Sequence, residues 1–222
     1  MAVVWYGGAP DNRGMLWEAF ENALMPLRCV FCGARTCERE RYICSGCNED
    51  LRHAAPPPPA PPLEFELTPL AFEFPLDEAI KAFKFRRRLF YGPALAQILC
   101  DACEVLPDDI DAVLPVPLHW RRRWFRGFNQ AREIGAPVAR KLGVPLVREV
   151  RKRRATPHQS ELEYRQRVRN LRAAFIVRSA LRYQHVLIVD DVITTGTTAR
   201  ELARILLAAG VAKVSAIAIA RA

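Results

Sequence analysis

Val186-Leu187-Ile188-Val189-Asp190-Asp191-Val192-Ile193-Thr194-Thr195-Gly196-Thr197-Thr198 is the stretch whose reading decides the fold. A branched apolar run that closes on two adjacent carboxylates is the pattern of a strand buried on both faces of a parallel sheet. Apolar positions then recur at helical spacing over 199–209, so strand, hydroxyl-rich turn and helix follow one another directly. Ligands of open α/β sheets gather beyond the carboxyl ends of the strands, which makes this turn a binding site. Thr194, Thr195, Thr197 and Thr198 offer hydroxyl donors, Gly196 lets the backbone come close, and the first amides of the helix carry the positive end of its dipole. That set suits a phosphate without any lysine. Asp190 and Asp191 would repel the phosphate at contact, so they suit a neighbouring hydroxylated ring, a Mg²⁺ ion or a developing positive charge. A threonine helix cap would account for one such hydroxyl. Four around a single glycine, straight after two acids, ask for more.

The 222 residues suffice for one substantial core and a small satellite. Composition is ordinary for a globular chain, with 50% hydrophobic and 26% charged residues. No apolar run reaches the roughly 20 residues of a membrane span, so membrane insertion is not expected. The start, Met1-Ala2-Val3-Val4-Trp5-Tyr6-Gly7-Gly8, lacks a basic segment followed by a long apolar one, and the expected location is the cytoplasm. A net charge of +9 favours anionic partners, phosphorylated small molecules or nucleic acid, without choosing between them.

Five of the seven cysteines lie in Cys29-Val-Phe-Cys32, Cys37 and Cys44-Ser-Gly-Cys47. Two C-x₂-C knuckles in a reducing compartment fit a closed, structural Cys₄ zinc site on Cys29, Cys32, Cys44 and Cys47, with Cys37 as a possible substitute ligand. Disulfides or plain buried thiols fit the double spacing less well. Cys100 and Cys103 share the spacing but sit within a helical apolar pattern, where cysteine packs as a small hydrophobe.

Pro56, Pro57, Pro58, Pro59, Pro61 and Pro62 impose a polyproline segment and read as a linker over 55–62. It separates residues 1–54, whose metal module has its core at 29–47, from a domain over 63–222. Residues 63–75 alternate as two short strands around Thr68-Pro69, and 76–85 read as an amphipathic helix. Pro93, after Gly92, is placed to begin another. Lys84-Phe85-Arg86-Arg87-Arg88 mixes cations with aromatics and reads as a solvated helix edge, with contact to nucleic acid as the alternative. A second strand over 111–119 ends in Pro115-Val116-Pro117-Leu118-His119, followed by Arg121, Arg122, Arg123 and Arg126. Helical spacing runs on to Leu142-Gly143, with Pro137 expected to kink or restart it. The basic, turn-rich connection that includes Arg151, Lys152, Arg153 and Arg154 suits an active-site lid, or else a mobile solvated run. A further strand is expected at Ala174-Phe175-Ile176-Val177.

The stretch 186–198 resembles the phosphoribosyl-pyrophosphate (PRPP) motif of type I phosphoribosyltransferases. With the paired knuckles, Pro-Val-Pro-Leu-His, Arg-Gly-Phe-Asn-Gln, Arg-x-Arg-x-Thr-Pro-x-Gln and Arg-x₄-Asn in this order, the chain from Cys29 to its end is similar to the ComF family. The resemblance implies an α/β fold, a type I phosphoribosyltransferase-like parallel sheet flanked by helices, with a small N-terminal zinc module. It implies that Asp190 and Asp191 meet the ribose hydroxyls as the catalytic pair, and that Thr194, Thr195, Gly196, Thr197 and Thr198 hold the 5′-phosphate. Pyrophosphate then falls to Pro117, Leu118, His119 and Arg121, and the lid to Arg153, Thr156, Gln159 and Arg165. It further implies Mg²⁺ with PRPP, an association with DNA uptake in competent bacteria, and pentosyl transfer to an acceptor that no residue names. The alternative is a non-catalytic competence accessory that engages single-stranded DNA or uptake-machinery proteins, with PRPP regulatory or vestigial.

Overall fold

The computed structural model describes residues 27–37, 40–55, 61–153 and 174–222; of residues 121–123 it describes the backbone alone. They form two compact units, one ending at Glu49 and one running from Asp50 to Ala222.

Among the described residues of the first unit there is one short helix, α1 (Ser45–Glu49). Its loops are tied by the N–H of Cys29 donating to the Ala34 carbonyl at 2.8 Å and that of Val30 to Tyr42 at 2.9 Å.

The second unit is built on a parallel sheet. Its central strands are β6 (His185–Ile193) and β7 (Lys213–Arg221), with β3 (Ala112–Pro115) on the far side of β6. Beside β7 lie two short strands, β1 (Glu66–Leu67) and β2 (Leu70–Ala71), which pair with it at Ala216 and Ile217 and at Ala220 and Arg221. They flank Thr68-Pro69, as the alternation predicts. In β6 the run 186–189 is wholly buried, and β7 is buried from Val214 to Ala220. Strands covered on both faces need no polar alternation. Val186, Ile188, Val214, Ala216 and Ala218 share a cluster with Leu202, Ala203 and Leu206 of α6 (Thr197–Ala208). On the other face α5 (Gln130–Leu142) packs against β3 and β6. The backbone of α5 comes in close at Gly135, where a Cβ would meet Pro115 Cγ at 3.2 Å and Val189 Cβ at 3.5 Å.

Two helices complete the layer, α2 (Leu76–Phe85) and α3 (Tyr91–Ala102), and a shorter one, α4 (Trp120–Arg126), follows the turn after β3. α3 begins two residues before Pro93, and Cys100 lies within it while the Cys103 thiol donates to the Leu99 carbonyl at 3.1 Å, in keeping with a packing role. Two expectations are corrected. α5 is not restarted at Pro137 but continues as one helix to Leu142, because the flanking turns are held by packing on the sheet rather than by that one missing amide. β3 is also shorter than 111–119: Pro117 has no N–H to carry the ladder further. A two-stranded antiparallel sheet, β4 (Val150–Lys152) with β5 (Phe175–Val177), flanks the segment 154–173, which lies outside the described residues. Among the described residues no helix is long and apolar enough to cross a membrane.

Candidate functional site

β3 and β6 run in register, with Pro115 opposite Val189, so the turn after β3 and the acids of β6 stand side by side at the carboxyl end of the sheet. The Val116 N–H donates to the Val189 carbonyl at 2.9 Å and extends that pairing to the brink of Asp190. The expected end of β6 at the acids is revised: the ladder continues through Val192 and Ile193, which pair with Ala220 and Arg221. The acids therefore sit on regular strand rather than in a loop, which fixes their backbone.

Asp190 is partly buried and Asp191 buried. Each carboxylate accepts the next residue's amide on its Oδ1: Asp191 N–H to Asp190 at 2.9 Å and Val192 N–H to Asp191 at 2.7 Å. Burial, and then the neighbouring Asp191 charge, push the Asp190 carboxyl up to about 7; Lys84 acts in the opposite sense. The Lys84 Nζ lies 2.8 Å from Asp191 Oδ1.

Beyond Ile193 the turn exposes Thr194 and Thr195, and Thr197 and Thr198 are half-buried at the start of α6. Gly196 is the N-cap, at φ 68°, and no side chain caps the helix. Glycine has no side chain to cap the helix, so the amides of α6 beyond that of Thr197 are left for a ligand or water. The hydroxyls of Thr195 and Thr197 lie 2.6 Å apart, and the Thr197 N–H reaches Thr195 Oγ1 at 3.4 Å. Three residues not expected from sequence brace this turn. Arg200 donates to the Thr195 carbonyl at 2.6 Å, Arg221 donates to the Thr194 carbonyl at 3.4 Å, and Glu66 pairs with Arg221. The arrangement offers hydroxyls and amides to an anion a few residues from two acids, which suits a sugar phosphate.

The turn after β3 lines a cleft of about 260 Å³ through Pro117, Leu118 and Trp120. Arg132, Arg148, Arg151 and Lys152 add four cations to its wall. His119 is buried, its ring 5.6 Å from that of Trp120, so this turn can offer its backbone rather than the imidazole. The side chain of Arg121 lies outside what is described, as do Thr156, Gln159 and Arg165. Arg153 is exposed after β4 and its N–H donates to the Ala174 carbonyl at 2.7 Å. Lys84 was hidden from sequence by its neighbours: Arg86, Arg87 and Arg88 are exposed, as a solvated edge should be, but Lys84 turns to β6.

In the first unit Cys29, Cys32, Cys44 and Cys47 bring their sulfurs within 4.8 Å of one another, and those of Cys32 and Cys44 are 3.6 Å apart. A tetrahedral ion with bonds of about 2.3 Å needs sulfurs about 3.8 Å apart, so the four fit a metal. Cys37 is not among them. Burial opposes ionisation of Cys29, but the backbone of Cys32, Cys44 and Phe31 outweighs it and brings the thiol down to about 6.

A family model described as the phosphoribosyl transferase domain matches residues 129–222. DNA utilization protein YhgH of Escherichia coli (strain K12) is 35% identical over 199 residues, 84% of this chain and 86% of that one. Competence protein F of Haemophilus influenzae is 34% identical over 160 residues, 67% of this chain and 69% of that one. Glutamine phosphoribosylpyrophosphate (PRPP) amidotransferase from B. subtilis overlaps at a TM-score of 0.44, with 20% identity over 63% of this chain and 30% of that one. At the identity and coverage of the first two relatives the chain belongs to the ComF family, and it carries a phosphoribosyl transferase domain.

Proposed function

We propose that the chain binds PRPP at the carboxyl end of β6 and acts as a phosphoribosyltransferase in the setting of DNA uptake. The observation that carries this reading is the pair Asp190 and Asp191 on a fixed strand, followed by a helix start at Gly196 with four threonine hydroxyls around it. The 5′-phosphate is held by Thr194, Thr195, Gly196, Thr197 and Thr198, and the ribose hydroxyls by the two acids. Pyrophosphate rests on Pro117, Leu118, His119 and Arg121, with Arg132, Arg148 and Arg151 close by. Arg153, Thr156, Gln159 and Arg165 belong to the lid. In the reaction the bond from ribose C1 to pyrophosphate breaks, the electron pair leaves with pyrophosphate, and an acceptor atom supplies the pair that forms the new bond. The acids stabilise the positive charge at C1 between these events, so catalysis is positioning and electrostatics. Mg²⁺, when bound with PRPP, would neutralise pyrophosphate charge, with Asp190 and Asp191 as the nearby carboxylates that would balance its own charge.

In this reading residues 1–54 carry a structural zinc on Cys29, Cys32, Cys44 and Cys47, 55–62 are a linker, and 63–222 are the transferase domain of a cytoplasmic protein. Isothermal calorimetry with PRPP and Mg²⁺ tests it, followed by a screen of nucleobases and ammonia for pyrophosphate release. Binding to the wild type that is lost in Asp190→Asn/Asp191→Asn is the expected result; equal binding by both proteins would reject it.

A second reading, a competence accessory for single-stranded DNA, draws on one surface. Phe85, Trp120, Trp124 and Phe125 are each more than 60% exposed, and the Arg126 guanidinium lies 4.9 Å from the Phe85 ring centroid. Aromatic platforms among cations suit stacked bases and a phosphate backbone. The relatives' names, DNA utilization protein and Competence protein F, point the same way. Salt-dependent binding of an oligonucleotide that disappears in Trp124→Ala/Phe125→Ala is its test.

A further inference from the structure

Lys84 stands in the last turn of α2, whose buried side is made by Leu76, Ala79, Ile80, Ala82 and Phe83. The next lysine toward the start of the helix, Lys81, serves the surface: it pairs with Asp77 at 2.7 Å and Glu78 at 3.0 Å, both on its own helix. Lys84 instead leaves its helix for β6, with its side chain 19% exposed and that of Asp191 10%. Its ammonium and the Val192 N–H converge on a single atom, Asp191 Oδ1, at 2.8 and 2.7 Å. Two donors on one oxygen fix the plane of the carboxylate. The Oδ2 of Asp191 takes no partner among the described residues and is the oxygen left to a ligand. Asp190 is held by one oxygen in the same way, through the Asp191 N–H. Two adjacent carboxylates in a poorly solvated place also repel each other, and an ammonium behind the pair offsets that repulsion.

We propose that Lys84 is a positioning residue for the acid pair. It touches no ligand, it selects which oxygen of Asp191 faces the ribose, and it keeps the two acids side by side before ligand arrives. This role rests on the PRPP reading above.

The test compares wild type, Lys84→Met and Lys84→Arg by calorimetry with Mg²⁺-PRPP, by ³¹P NMR titration with inorganic phosphate, and by thermal unfolding. Phosphate carries no ribose for the acids to hold, so its affinity is a control for damage to the site as a whole. Losing a hydrogen bond to a charged group corresponds to a factor of about ten or more in affinity. The expected result is a loss of that size for PRPP in Lys84→Met, recovery of most of it in Lys84→Arg, and unchanged phosphate binding in both. PRPP affinity in Lys84→Met that equals or exceeds wild type overturns the role of Lys84 and leaves the PRPP site standing. A matching loss of phosphate affinity overturns it in favour of a merely structural role. A folded wild type that does not bind PRPP removes the reading on which it rests.

Discussion

Glu66 in β1 and Arg221 at the end of β7 form an ion pair across 155 positions of sequence, against the turn that carries the four threonines. The Glu66 side chain is 2% exposed and that of Arg221 33%, so the pair is closed to water on the side of the acid. Arg221 also donates to the Thr194 carbonyl, which joins the pair to the turn. Removing one partner of a wholly buried pair costs about 3–5 kcal/mol, and the partial exposure of Arg221 lowers that figure here. Arg221→Met is expected to cost about 2 kcal/mol in urea unfolding and to weaken phosphate binding as well. Glu66→Gln, which leaves no buried charge behind, is expected to cost less.

Two carboxyls should give the apo protein opposite responses to pH. Asp190, pushed up by burial and by Asp191 from its ordinary 3.8 to about 7, takes up a proton on folding between those values. Its contribution to stability is therefore full below pH 3.8, declines as pH rises, and is lost above about 7. Asp109 is held down to about 2 by Lys213 and then His185, so its contribution is full above 3.8 and is lost as pH falls toward 2. Melting temperatures measured from pH 3 to 8 should fall through the upper window in wild type, and Asp190→Asn should flatten that fall while leaving the acid limb unchanged. Mg²⁺-PRPP, if held by ionised acids, should bind more tightly at pH 8 than at pH 6.

What the sequence made legible was local. Four sulfurs at C-x₂-C spacing, an apolar run ending on two acids and threonines around one glycine all declare themselves within a few residues. The bracing residues did not, because their partners are set by strand order. Glu66 reaches Arg221 only because β1 lies beside β7, and Arg221 reaches Thr194 only because β7 lies beside β6. Lys84 meets Asp191 from a helix that packs on α3, and its neighbours in sequence suggested a different fate. Pro137 misled for a related reason: local propensity argues for a break in α5, and packing of Ile134, Gly135 and Val138 on the sheet overrides it.

The metal module should depend on its ion. The short segment has few large apolar side chains to bury, so binding energy supplies much of its folding energy. Purified protein is expected to hold about one zinc per chain, and Cys44→Ser/Cys47→Ser to hold almost none, as read by elemental analysis. Cys37→Ser should retain the metal, since its sulfur lies outside the four-sulfur cluster. Zinc lost from Cys37→Ser and kept in the double variant would reverse the assignment.

Gly196 offers the sharpest test of the phosphate turn, because two separate penalties meet there. Its φ of 68° is one that side chains rarely adopt, and a Cβ would lie 2.9 Å from Arg200 Nη1 and 3.2 Å from Glu66 Oε2. The Arg200 guanidinium is the end of a flexible chain and can move, but moving releases its hydrogen bond to the Thr195 carbonyl. Gly210 separates the two effects: its φ is 98°, and a Cβ there would meet nothing within 4 Å. Gly210→Ala should therefore cost only backbone strain, about 1–2 kcal/mol, and leave ligand affinity unchanged. Gly196→Ala should cost at least as much in stability and also reduce affinity for phosphate and for Mg²⁺-PRPP by a factor of about ten, the size of one charged hydrogen bond lost. Calorimetry and urea unfolding on the two variants decide the matter. If Gly196→Ala binds both ligands as wild type does, close approach of the backbone is not what the turn provides, and the hydroxyls of Thr194, Thr195, Thr197 and Thr198 alone must hold the phosphate.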